Sequence, residues 1–231
     1  MARKSPLYYA PVKNKRFFGP TRLYSQIDWN DFLAAMREFK KQMCVWYIAP
    51  ALVLKKRTRH SGFAYLGLNC LLIDAICQYY YGKREATKRD FKKFVRKHFD
   101  GSNHRFSAEI PVVINGKSNF LRDFADVLYH GVRCGILHEA HTKSYCGIAG
   151  LPKRTWTFRR KGFTKVSGRL HGFRDCPSVI IDPNRLLVQT IAVFNRYIND
   201  LRNPHQTKLR ERFKRRFLWS FGIAIGREPL I

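Results

Sequence analysis

Residues 63–81 form a strongly apolar stretch in which Asn69 and Asp74 are the polar exceptions, and Gly82 stops it. A segment of that length, apolar on every side, folds as a helix buried on all faces, so the rest of the chain must be arranged around it. A carboxylate in such surroundings needs a cationic partner, and Arg133 is the candidate.

The longest apolar run free of charged and amide side chains, residues 43–54, is broken by Pro50 and falls short of the roughly 20 residues a spanning helix needs. The N-terminal residues start basic, with no apolar run behind them. Both features lead us to expect a soluble, cytoplasmic protein that does not engage a membrane. Cys44, Cys70, Cys77, Cys134, Cys146 and Cys176 lie far apart without a CxxC pair, which suits free thiols in a reducing compartment.

Other helices are marked by period and caps. Asp28 can cap a first helix in which Phe32, Leu33, Met36, Phe39, Lys40 and Met43 recur at helical spacing until Pro50 ends or kinks it. Residues 83–105 read as a basic amphipathic helix, with Phe91, Phe94, Val95 and Phe99 inward and Lys88, Arg89, Lys92, Lys93, Arg96 and Lys97 outward. That outer face is either plain scaffold or an RNA-guiding stripe. Residues 111–120 are expected to be a loop turning at Asn115-Gly116. Asp182-Pro183 starts a helix through Leu201 that breaks at Asn203-Pro204. A last basic helix spans residues 208–221.

Residues 142–181 change character, with five glycines and short alternating stretches at 155–158 and 163–166. We read a small basic β-hairpin insertion there. Lys153, Arg154, Trp156, Arg159, Arg160, Lys161, Lys165 and Arg169 interleave cations with an aromatic ring, a composition suited to gripping phosphates and stacking on unpaired bases. A basic flap over the core is the competing reading. The whole chain carries 44 Lys+Arg against 16 Asp+Glu, a formal net charge of +28, so a polyanion is the expected partner and nucleic acid the first candidate.

One stretch defies compositional rules. Residues 124–141 place Arg133, His130, His138 and His141 in an otherwise apolar helical segment. On a regular helix Arg133 and His138 lie about 140° apart and about 7.5 Å along the axis, flanking a groove that a second, two-fold related copy can complete. The pair is either catalytic, or Arg133 bonds structurally to Asp74 and His138 is a core histidine. A metal alternative uses Cys134, His138, His141 and Cys146 as zinc ligands.

Arg133-Cys134-Gly135-Ile136-Leu137-His138, with Tyr129-His130-Gly131-Val132 before it and Glu139-Ala140 after it, resembles the arginine, four-residue spacer, histidine motif of the HEPN ribonuclease superfamily, its bacterial members in particular. The resemblance is specific over about fifteen residues and extends in outline over residues 28–220. It implies a mainly α fold, a single HEPN-like helical domain over residues 1–231 that carries the β-rich insertion. It implies metal-independent, cofactor-free endoribonuclease activity on single-stranded or looped RNA, in a homodimer formed through the motif helix. His138 would be general acid/base in attack of the 2′-OH on the adjacent phosphate, giving a 2′,3′-cyclic phosphate. Arg133 would bind the non-bridging oxygens. Glu139, Asp74, His130, His141 and Tyr145 are supporting candidates. Many members carry Asn, Asp or His after the arginine, where this chain has Cys134. The family also implies a toxin or antiviral-defence role held in check by an inhibitory partner, and its alternative is a catalytically inactive RNA-binding subunit of a larger complex.

Overall fold

The computed structural model describes residues 17–18, 22–23, 31–57, 61–114, 116–139, 141–151, 153–160 and 177–220. Their architecture is mainly helical with small sheets, the first a short antiparallel pair of β1 (Phe17–Phe18) and β2 (Arg22–Leu23). The apolar stretch is a helix, α3 (Gly62–Tyr81), which ends on Gly82 in the left-handed conformation at φ +64°. Helices α1 (Phe32–Met43), α2 (Ala49–Arg57), α4 (Lys88–His98), α7 (Pro183–Arg202) and α8 (Thr207–Ser220) surround it, and α3 touches α2, α4, α7 and α8. By length and composition α3 alone among the described residues could cross a membrane, yet just over half of its apolar window is buried inside the fold. It is the core helix of the bundle, though not buried on every face as expected, since Phe63 and Leu71 are exposed.

The core gathers aromatic rings from four helices. Phe39 of α1 lies 4.2 Å from the Tyr79 ring of α3, 6.0 Å from Phe194 of α7 and 5.3 Å from Phe213 of α8. Each such ring buries a large apolar area and adds edge-to-face attraction, so this cluster fixes how the four helices cross.

Caps set the helix boundaries, and the first differs from expectation. The cap of α1 is Asp31, whose carboxylate accepts from the Leu33 N–H, and Asp28 lies outside the described residues. Pro50 does not end the first helical segment. A π-helical turn, Cys44–Ile48, widens the helix just before it, with Ala49 N–H donating five residues back to Cys44. That accommodates a ring that would otherwise clash with the carbonyl four residues earlier, so helix continues to Arg57. The cap of α7 follows the expected Asp182-Pro183 pattern, the Asp182 carboxylate accepting from Asn184 and Arg185 N–H.

Helix α4 begins at a reciprocal Thr87–Asp90 capping box and ends at His98, so the expected helix over 83–105 is too long at both ends. The chain then enters a strand where a loop was expected. Strands β3 (Arg105–Ile114) and β4 (Lys117–Asp123) form an antiparallel hairpin closing at Ile114↔Lys117, with Gly116 at φ +73° in its turn. A two-residue Asn-Gly connection matches the twist of paired strands, which is why this turn makes a hairpin.

Within residues 142–181, β5 (Cys146–Ile148), β6 (Trp156–Arg159) and β7 (Ser178–Ile181) form a three-stranded sheet in the order β5-β7-β6. The described partner of 156–159 is therefore β7, antiparallel, while β5 pairs with β7 in parallel. The expected strand at 163–166 lies outside the described residues. Strand β7 is buried along its whole length, as a central strand should be.

Candidate active site

The motif segment is one helical run, residues 124–139, in three parts: α5 (Phe124–Val127), a π-helical stretch Leu128–Cys134, and α6 (Gly135–Glu139). Asp123 caps it, accepting from Asp126 N–H at 2.9 Å. Asp123 and Asp126 also hold α4, through Arg96 at 2.8 and 3.1 Å and Lys92 at 2.5 Å from Asp126. These bridges lock the motif helix to the basic helix.

The π stretch includes Arg133, so the 140° separation of a regular helix does not hold here. Arg133 turns inward against α3. Its guanidinium lies 5.2 Å from the Tyr129 ring and 5.9 Å from the Phe91 ring, and its Nε is 3.3 Å from Asp74 Oδ1, an ion pair without hydrogen-bond geometry. Burial alone would lower the guanidinium pKa, but the Asp74 carboxylate outweighs it and holds the charge firmly on. The carboxylate's other oxygen accepts from Gln78, whose own oxygen accepts two N–H groups of Arg216, so the network runs from the motif helix through α3 to α8. Asp74 is thus the expected partner of Arg133.

His138 faces the other way. It is exposed and lines an open cleft of about 820 Å³ with His130, Tyr129, Tyr145, Lys88 and Lys143. Arg133 and Asp74 are not among the lining residues. The Tyr129 ring stands between the two halves of the motif, lining the cleft while it stacks on Arg133. In one chain, therefore, the structure does not bring Arg133 and His138 into a common pocket.

Each supporting candidate has a definite place. His130 is buried, its pKa pushed down to about 4 by burial and then by Lys88 and Lys92, so it is a neutral imidazole at pH 7. Burial pushes the Tyr145 phenol pKa up, and that ring packs where a Cβ on Gly131 would stand 2.9 Å away. Glu139 lines the cleft but is exposed and tied to Lys143, a bond that holds its carboxyl below the usual range. His141 is exposed, with Nδ1 2.8 Å from the Thr142 carbonyl and Nε2 3.9 Å from Glu139.

The zinc alternative fails on geometry. No group of three or more His, Cys, Asp or Glu side chains capable of holding a metal occurs among the described residues. The chain doubles back after the helix, with Lys143 N–H donating to Gly131 O, and this carries Cys146 into the sheet, fully buried, while His138 faces solvent.

This turn-back depends on Gly135. A Cβ there would lie 2.5 Å from the His141 carbonyl oxygen, a contact with backbone that cannot swing away. Helix propensity favours Ala over Gly by about 1 kcal/mol, but the overlap wins. Gly135→Ala is expected to lower stability by about 2 kcal/mol, read as a fall of about 4–8 °C in the thermal midpoint.

The proposed RNA-contacting residues divide. Lys153 and Arg154 are exposed beside a second hollow of about 560 Å³ that also touches Trp156, and Arg159 and Arg160 are exposed at the end of β6. Trp156 is not a free stacking platform. Its ring lies flat on Phe124, 5.1 Å apart at 7°, with Phe106 against it at 5.6 Å. It pins the sheet to the start of the motif helix. Lys161, Lys165 and Arg169 lie outside the described residues.

No protein-family model matches the chain, and no curated protein or solved structure matches it. The reading of the site therefore rests on its own residues. Among these, Lys88, Lys143 and strand residues 111–114 line the cleft and stand outside the site expected from sequence. A signal for the strand exists: alternating apolar residues from Phe106 to Ile114, then Asn-Gly.

Burial of neutral imidazoles has a consequence for stability. His98, packed against Tyr80 and Phe94, also has its pKa pushed down to about 4, by burial and by Lys97 and Arg196. For both His98 and His130 the folded value lies below the unfolded value near 6.5, so unfolding takes up protons as pH falls. Their contribution is complete above pH 6.5 and is lost between there and about pH 4. Urea titrations across that interval should show a loss on the order of 1 kcal/mol per histidine after allowance for solvent screening. His98→Phe should flatten the slope by its share.

Proposed function

We propose that this protein is a metal-independent endoribonuclease with a HEPN-like helical domain, cutting single-stranded or looped RNA in the cytoplasm. The observation that carries the reading is the placement of His138: a solvent-open imidazole in a cleft whose other ionisable groups are His130, Tyr129, Cys134, Tyr145, Lys88 and Lys143, with Glu139 already committed to Lys143. A cleft with surplus positive charge draws in a phosphodiester, and imidazole is the side chain suited to move the 2′-hydroxyl proton near neutral pH. Neutral His130 and protonated Tyr145 are donors for a phosphate oxygen.

Arg133 acts in this reading by leaving Asp74 for the phosphate. Their ion pair rests on one contact, Nε 3.3 Å from a single carboxylate oxygen, which a bidentate phosphate would exchange for two charge-assisted hydrogen bonds. Leu137, His138 and Glu139 leave the last turn of the motif helix exposed, the surface a second copy would cover in a homodimer. A role as a toxin or defence effector restrained by a partner protein belongs to the same proposal.

The second reading, a catalytically inactive RNA-binding subunit, is favoured by one observation: Arg133 is engaged with Asp74 and two rings, outside the His138 cleft. Incubation with 5′-labelled RNA in excess EDTA decides between them. The nuclease reading expects fragments with 2′,3′-cyclic phosphate ends. Intact RNA that is nevertheless bound, or cleavage that needs added metal, overturns it.

A further inference from the structure

The α4 helix carries its cations at Lys88, Arg89, Lys92, Lys93, Arg96 and Lys97, two adjacent stripes on one face that line a shallow groove of about 710 Å³. The structure sorts them into two kinds. Lys92 and Arg96 are neutralised by Asp126 of the motif helix and Asp123, its cap, and Lys97 donates to the Tyr80 hydroxyl. Lys88, Arg89 and Lys93 line the groove and meet no carboxylate among the described residues. Of the six, Lys88 also lines the His138 cleft. The uncommitted cations thus begin at the cleft with Lys88 and Arg89 and lead away from it to Lys93, four residues and about 6 Å further along the helix, comparable to the step between neighbouring phosphates of one strand.

Resting on the RNA reading above, we infer that the outer face of α4 is the track for the phosphates of a single RNA strand, with Lys88 handing the strand into the His138 cleft. Beside charge, the cleft presents the part-exposed side chains of Tyr129 and Tyr145, although the Tyr129 ring already carries Arg133. The paired cations Lys92 and Arg96 hold the track rigid against the motif helix, and the unpaired ones bind. Lys88 is a positioning residue: it places the strand and does not touch the transferred proton.

The test uses the full chain in EDTA with His138→Ala as background, and reads fluorescence anisotropy of a fluorescein-labelled 12-nucleotide oligouridine across a salt series. Lys88→Glu/Arg89→Glu/Lys93→Glu is compared with Lys208→Glu/Lys214→Glu/Arg215→Glu, the same charge change on exposed positions of α8. The track variant should bind at least about tenfold more weakly near physiological salt and lose about 2 from the salt slope, as three lost phosphate contacts on a single strand imply. The α8 variant should change affinity less than about threefold by the same electrostatic arithmetic. The Gln triple at 88, 89 and 93 repeats the test without charge reversal should the Glu triple fail to fold. Equal weakening on both helices overturns the track, as does unchanged binding in the α4 variants or equally track-dependent binding of a 12-base-pair RNA duplex. The two readings fail separately. Track-dependent binding without cleavage by the wild type leaves the track and removes the nuclease; wild-type cleavage with binding indifferent to the α4 variants does the reverse.

Discussion

His138→Ala is expected to reduce RNA cleavage in EDTA by about 10²–10⁴-fold, the range for loss of a positioned general acid or base. The side chain is exposed and projects into an open cleft, so its removal leaves no cavity in the core and no buried partner unpaired. The thermal midpoint should therefore stay within a degree or two of wild type, and RNA affinity should be nearly unchanged. Single-turnover rates measured beside anisotropy on the same RNA separate the two quantities. A variant that cuts at the wild-type rate would remove His138 from the mechanism.

The second large effect concerns Arg133 and Asp74. Asp74→Ala strands a guanidinium in a site where its side chain is 19% exposed, while Asp74 itself is 14% exposed. Removing one partner of a buried pair costs about 3–5 kcal/mol, and partial exposure here brings the expectation to about 2–3 kcal/mol. Arg133→Met leaves the Asp74 carboxylate with its Gln78 hydrogen bond, so its cost is smaller, about 1–2 kcal/mol. The double variant should recover part of the loss, with a coupling of about 1–2 kcal/mol in urea unfolding. Additive costs would mean that the pair does not hold the motif helix to α3. Activity reads the other role. If Arg133 only braces the fold, Arg133→Met keeps cleavage in proportion to folded protein; if it binds the phosphate, cleavage falls by orders of magnitude in fully folded protein.

Several elements are legible in the chain because their signals are local. The buried helix α3 with its Gly82 stop, α7 with its Asp182-Pro183 start, and the switch to strand around residue 156 come from periodicity, caps and turn residues. So does the pairing of Asp74 with Arg133, since a carboxylate in an apolar helix has few other ways to be tolerated. The β3–β4 hairpin is hidden because Pro111 weakens a strand reading and the basic pattern before it extends the helix too far. Trp156 looks like a base-stacking ring because composition cannot tell one waiting for a base from one already stacked on Phe124.

A mainly helical protein built around residues 62–81, with a strongly basic composition and a polar motif on one helix, follows from residue type and spacing along the chain. Which way the motif's side chains face follows instead from packing. The π-helical stretch resets the register at Arg133, and the chain's return over Gly135 opens the cleft on the His138 side alone, so Arg133 meets Asp74 within the bundle while His138 meets solvent. Neither the widened turn nor the return can be read from a local pattern, because both arise from packing between segments distant in sequence.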